Sequence, residues 1–366
     1  MSGAIGSAAP GIYGILSTLV ANSASVKQRL DTLTEQASTG RVADAYAGLG
    51  QGASVSLRLR PILAHEQVWQ DGIDSALGRL QVTNTAMTAI QKVASDLYAQ
   101  LNNLNGLSGQ EVDSLAASAR DALKQVAGLL DTKDGDTYVF AGQDSANAPV
   151  PNPDAILSSG FYTQISAAVG ALATNGAAST AAATLAVASS NAPGSSPFSA
   201  LLSQPASALA GQYASVVTGE GERTSVGLLA SSNGYVASQG SSTTGSYMRD
   251  LLRSLATIGS LNSTQADAPG FADLVADTRT SLSGAISTMA ADVGAMGNAG
   301  SRLSDQKATL ADAATALSTQ VSGAEDVDMA ATLSSLSLVQ TQLQSSYQLI
   351  ANSQTLSLVK YLGSVS

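Results

Sequence analysis

Cysteine is absent from the 366 residues, which excludes a disulfide framework, thiol catalysis and thiolate metal sites. Histidine occurs once, at His65. Aromatic residues make up 4% of the chain and charged residues 12%, against about 25% charged in ordinary soluble proteins. A large aromatic core is therefore not expected. No run reaches the roughly 18 apolar residues of a membrane span. The first thirty residues lack the basic start and unbroken apolar stretch of a secretory signal. Basic residues are in deficit, 17 Lys and Arg against 27 Asp and Glu, for a net charge of −10. That balance disfavours nucleic acid and anionic membrane surfaces as partners. What fills the chain instead is Ala, Ser, Thr, Gln and Gly, the residues of closely packed helices and polar loops.

The apolar residues that remain are strictly spaced. Near the end of the chain Met329, Leu333, Leu336, Gln340, Leu343, Tyr347 and Ile350 alternate four and three apart, the seam of a coiled coil. Near its start Ile12, Leu16, Leu19, Ser23, Val26, Leu30, Leu33 and Ala37 do the same, up to Gly40, a residue suited to a helix C-terminus. A lone helix showing such a seam to water is marginal, so both ends need partners, and each other is the nearest choice. These two seams form the predicted assembly interface.

Between the ends, the spacing predicts further long helices. One carries Trp69, Ile73, Ala76, Leu80, Thr83, Met87, Ile90, Ala94, Leu97, Leu101 and Leu104 and breaks at Asn105-Gly106. Another spans about Gln110–Thr132. A third, after Pro269, carries Thr278, Leu282, Ala285, Met289, Asp292, Met296, Ala299, Leu303, Gln306, Leu310, Ala313 and Leu317, with a break at Ser322-Gly323. Residues 41–52 read as a loop, and the segment after it as a short piece interrupted by Pro61. Thr137–Gly142 (TYVFAG) is a short β-like run. From about 143 the sequence becomes rich in Ala, Ser, Gly, Thr and Pro, with a hairpin candidate around Gly219–Arg223, and a helical pattern returns at Tyr247–Ile258. The expected fold is mainly α: long antiparallel coiled-coil helices from both chain ends, with a central inserted domain of mixed α/β character. Its expected divisions are an N-terminal assembly helix (1–40), a helical core half (41–142), an outward variable domain (143–246), a second core half (247–322) and a C-terminal assembly helix (323–366).

Constellations for chemistry are sparse. His65 has no clustered partners and reads as a surface or satisfied histidine. Glu325, Asp326 and Asp328 could suggest a cation site, but carboxylates at a helix start more simply cap free N–H groups. Asp131–Asp136 superficially resembles a calcium loop, yet placing Gly135 at its sixth position puts Leu130 where the first Asp ligand belongs. Arg58, Arg60 and Trp69 read equally well as a binding patch or a solvated helix face. No catalytic, cofactor or metal residues are expected.

Several segments resemble the bacterial flagellin family. They are Glu325–Ala330 (EDVDMA), Leu333–Gln344, Ser357–Leu362, Asp292–Leu303 (DVGAMGNAGSRL) and Gln36–Val42 (QASTGRV). Thr137–Gly142 is similar to the family's hook-associated subunits, which sit at the junction of hook and filament. The resemblance covers about the first 142 and last 120 residues. Two departures stand out: Asp44–Gly48 (DAYAG) replaces the family's Asp-Asp-Pro step, and the Asn/Thr-rich beginning of filament flagellins is missing. The resemblance implies a structural subunit, not an enzyme, whose terminal arms order on joining their neighbours. It implies self-association into a helical ring or filament, contact with other hook-associated protein and with flagellin, and an export chaperone. It also implies an extracellular place on the flagellum, reached by type III export without a cleaved signal peptide. Alternatives at this stage are a bulk filament flagellin, and an extracellular enzyme or adhesin acting through the central domain.

Overall fold

The structure, a computed structural model, describes residues 10–102 and 109–362, with side chains from 17 to 102 and from 109 to 352. It is mainly helical. In chain order come α1 (Pro10–Thr39), α2 (Gly52–Asn102), α3 (Gly109–Leu130), the hairpin β1 (Lys133–Asp134) and β2 (Thr137–Tyr138), α4 (Gly160–Gly170), α5 (Leu172–Ser189) and α6 (Ala206–Leu209). Then follow the hairpin β3 (Ser215–Gly219) and β4 (Glu222–Ser225), α7 (Tyr247–Gly259), α8 (Phe271–Glu325) and α9 (Met329–Leu362). No helix among the described residues is long and apolar enough to cross a membrane. The chain forms two compact units, residues 66–311 and residues 1–65 with 312–366.

The 66–311 unit holds the apolar core, because the heptad spacing turns one face of each long helix inward. On α2, every seam position from Ile73 to Leu101 is buried, and on α8 the seam is buried from Thr278 to Leu303 and again at Leu310. Leu104 and the break at Asn105-Gly106 lie outside the described residues. Residues 143–246 share this core: Phe161, Ile165, Val169, Leu172, Phe198 and Leu202 are buried in one cluster with α2, α3, α7 and α8. Both hairpins are antiparallel. Gly135, at φ +57°, makes the first turn tight, and Gly221, at φ +75°, the second, where Ser215 pairs with Ser225 and a bulge falls between Val217 and Gly219.

Two differences from the sequence reading have physical causes. Pro61 does not interrupt a short piece; α2 runs through it from Gly52. Proline keeps helical φ, so the helix can continue, at a cost of about 3 kcal/mol for the lost bond to the Leu57 carbonyl and the crowding of that carbonyl by the ring. The expected break at Ser322-Gly323 falls three residues later, since α8 continues to Glu325; a single glycine in a helix costs only about 1 kcal/mol.

Polar groups stitch this unit together. Asp292, wholly buried on the α8 seam, accepts from the backbone N–H of Gly234 (3.0 Å), Tyr235 (2.6 Å) and Val236 (2.8 Å) and from the Tyr247 hydroxyl (2.8 Å). Burial next to Asp292 pushes the Tyr247 phenol well above its ordinary range. Asp131 accepts from the Val150 N–H at 2.8 Å; burial lifts its carboxyl from 3.8 to about 6, with the Val150 bond opposing. A carboxyl raised in the folded state stabilises below its unfolded value and loses that stabilisation as pH rises through the folded one. Asp131→Asn is therefore expected to match the parent near pH 4 and exceed it by roughly 1–2 kcal/mol above pH 6, after allowance for solvent screening. Urea unfolding at the two pH values measures this. Equal stability at both would remove burial as the cause.

Candidate assembly interface

The second unit, residues 1–65 with 312–366, has almost no core of its own. Only Leu49, Val321 and Val339 among its described large apolar side chains are buried. The main apolar cluster lies wholly within 66–311. Of the described large apolar side chains that stay exposed, all but Val68 belong to this unit: Val20, Tyr46, Leu57, Ile62, Met329, Leu333, Leu338, Tyr347 and Leu349.

Within it, α1 and α9 pack on each other. Leu19, Val26, Leu30, Leu33 and Ala37 are half-buried and Ser23 is buried, the spacing read from the sequence. Ile12 and Leu16 lie outside the residues whose side chains are described. The opposite face of α1 carries exposed Lys27, Arg29, Asp31 and Glu35. On α9 the stripe toward α1 is Thr332, Leu336, Val339, Leu343, Ser346 and Ile350, buried or half-buried. Leu336, Leu343 and Ile350 belong to the sequence seam. Its other members face solvent: Met329 is 40% exposed, Leu333 51% and Tyr347 53%, with Gln340 also exposed. Leu338 and Leu349 form a further apolar strip at 68% and 58% exposure. From Met329 to Asn352 there is no charged residue.

Where the two arms meet, four segments converge. Gly40, at φ +74°, ends α1 with its N–H on the Gln36 carbonyl at 2.8 Å, a left-handed cap that costs glycine little. The chain then runs as a short antiparallel bridge, Arg41 opposite Asp326. The Val42 N–H donates to the Glu325 carbonyl (2.7 Å), and the Val327 N–H to that of Gly40 (3.0 Å). The Gln36 amide donates to the Val42 carbonyl at 2.9 Å. Glu325 itself is buried, and its carboxylate accepts from Arg60 Nε at 2.6 Å, from Arg60 Nη2 and from the Ser56 hydroxyl. At Gly52 a Cβ would stand 2.8 Å from the Ala324 carbonyl oxygen, so only glycine lets α2 begin this close to the end of α8.

This junction brings Gln36–Val42 against Glu325–Ala330, two segments that carry the family resemblance. The acidic cluster divides its labour. Asp328 caps α9, accepting from the N–H of Ala330 (2.9 Å) and Ala331 (3.0 Å), as expected of a carboxylate at a helix start. Glu325 instead ends α8 and pairs with Arg60. Among the described residues no group of three His, Asp or Glu could hold a metal ion. His65 is exposed. Arg58, Arg60 and Trp69 are put to separate uses: Arg58 Nε donates to the Ser54 carbonyl, Arg60 holds Glu325, and Trp69 packs against the core of the 66–311 unit. Sequence reasoning missed the Arg60–Glu325 pair, since 265 residues separate them and neither lies in a spacing motif.

The Arg60 guanidinium and the Ser56 hydroxyl hold the Glu325 carboxyl down from 4.5 to about 2. A depressed carboxyl stabilises above its unfolded value and loses that contribution as pH falls through the folded one. The stability gap between the parent and Glu325→Gln is therefore expected to be full at pH 6 and to close between about 4.5 and 2. Thermal melts at pH 6 and pH 2.5 should show it much narrowed at the lower pH, and a gap undiminished at pH 2.5 would assign the effect to something other than charge.

Residues 280–362 match the family model of the bacterial flagellin C-terminal helical region, a stretch that includes most of α8, up to Glu325, and all of α9. A search of curated proteins finds no match. The match makes the C-terminal helices of this chain similar to those of flagellin, a structural subunit of the flagellum.

Proposed function

We propose that this protein joins hook to filament in the bacterial flagellum, as a hook-associated subunit that packs into a helical ring or filament through its terminal arms. The observation that carries the reading is α9. It is uncharged from Met329 to Asn352, and beyond the stripe toward α1 it leaves Met329, Leu333, Leu338, Tyr347 and Leu349 exposed. A helix with more apolar stripes than its partner covers needs a further packing surface, and neighbouring copies supply it. Head-to-tail contacts of this kind generate open helical assemblies. The sequence Thr137–Gly142, which resembles that of hook-associated subunits, favours the junction over the bulk filament. On this reading the partners are further copies of the chain, another hook-associated protein, flagellin, and an export chaperone that shields the arms before type III export without a cleaved signal. Residues 143–246 form the outward face, and no catalysis or cofactor is involved.

Labelling isolated flagella with an antibody to residues 143–246 tests the assignment. A short band at the hook end is expected. Label along the whole filament would make the protein the bulk flagellin, and no label on flagella would overturn both readings.

A further inference from the structure

α9 carries two overlapping apolar stripes that share Leu336, Leu343 and Ile350. The stripe toward α1 completes itself with Thr332, Val339 and Ser346; the exposed one does so with Leu333, Gln340 and Tyr347, and adds Met329. Corresponding members are adjacent in sequence, about 100° apart around the helix, with the shared residues between them. A turn of less than that angle would exchange the stripes. Burial alone would favour the exchange, because Met329, Leu333 and Tyr347 remove more apolar surface from water than Thr332, Val339 and Ser346, even with Gln340 in the place of Val339. Something outside the seam therefore holds α9 in its observed setting.

The geometry points to the Glu325 clamp: we infer that Arg60 and Ser56, by fixing the Glu325 carboxylate, set which stripe α9 turns toward α1 and so keep the larger one free. Three residues, 326–328, separate α8 from α9. Two of them are tied down, Asp326 in the bridge with Arg41 and Val327 through its N–H on the Gly40 carbonyl, while Asp328 caps the new helix. A connector so short and so fully bonded transmits the orientation of Glu325 to the first turn of α9. Glu325 is thus a positioning residue for the seam, whatever the subunit's place in the flagellum.

The absence of cysteine makes the test direct, since engineered pairs cross-link without background. At equal rise from the Arg41–Asp326 bridge, residue 30 comes level with about residue 337 on the antiparallel α9. Two full-length reporters are needed, Leu30→Cys with Val339→Cys and Leu30→Cys with Gln340→Cys, each oxidised with copper phenanthroline. In the parent background the 30–339 pair should cross-link at least fivefold faster. Glu325→Gln and Arg60→Met should each reverse that preference, and the exchanged pair Arg60→Glu with Glu325→Arg should restore it. An unchanged 30–339 preference in both single variants would overturn the inference. So would equal loss of both cross-links with helix content intact, because the clamp would then hold the arms together without choosing their setting.

Discussion

Replacing Arg249 by Leu is expected to cost the 66–311 unit about 3–5 kcal/mol. The guanidinium is buried on α7 and donates to the carbonyls of Ser231 (3.2 Å), Ala188 (3.0 Å) and Ser190 (3.3 Å) and to the Asn191 side-chain oxygen (2.8 Å). It also lies over the Phe198 ring, 5.4 Å from its centre. Burial lowers its pKa, with Asp250 opposing. None of those four acceptors is a carboxylate, so removing the side chain strands backbone oxygens at the end of α5 (Ala188, Ser190) and at Ser231, each with a desolvation penalty. Arg253, one helical turn on, repeats the arrangement with the Thr184 hydroxyl, the Ala181 carbonyl and Asp277. Together they bind residues 181–242 to α7. A melting temperature lower by roughly 10 °C is expected. A loss below about 1 kcal/mol would mean that the loops close without their arginine.

The second large effect lies on α9. Leu343 belongs to both stripes and is half-buried against α1. Leu343→Asp places a carboxylate where no cation lies on the helix from Met329 to Asn352, and an unpaired carboxylate in an apolar seam costs several kcal/mol. The 66–311 unit, with its separate core, should fold unchanged. Soluble, exported protein that fails to assemble is therefore expected, with unassembled filament subunits accumulating in the medium. Normal motility would remove the apolar seam as the assembly determinant.

The long helices were legible because their seams are regular and their partners lie in the same chain. From Ile73 to Leu101 and from Thr278 to Leu303 the four/three spacing alone identifies the buried face. α9 was half legible. Its spacing admits two stripes, and the sequence reading followed the more apolar one, Met329, Leu333 and Tyr347, which the isolated chain leaves exposed. Hydrophobicity ranks faces by strength; it does not say which partner covers them. α7 was legible as a helix, but the burial of its polar side was not. Its apolar residues Met248, Leu251, Leu252 and Leu255 occupy one side and Arg249, Asp250 and Arg253 the other, the pattern of a surface helix. All three charges are buried, because loops far along the chain bring carbonyls and hydroxyls to meet them. No spacing rule encodes partners of that kind, nor the pairing of Arg60 with Glu325.

Hydrogen exchange of α1 and α9, compared between dilute full-length protein and isolated flagella, addresses the central claim that neighbouring copies complete the chain ends. Segments with little buried apolar surface open at low free energy. Amides before about Ser38 and after about Ala330 should exchange quickly in the dilute protein while α2 from Ile73 and α8 up to Leu310 stay protected, and should slow at least a hundredfold on the flagellum. Arms already as protected as that core in the dilute protein, or equally fast in both states, would contradict it.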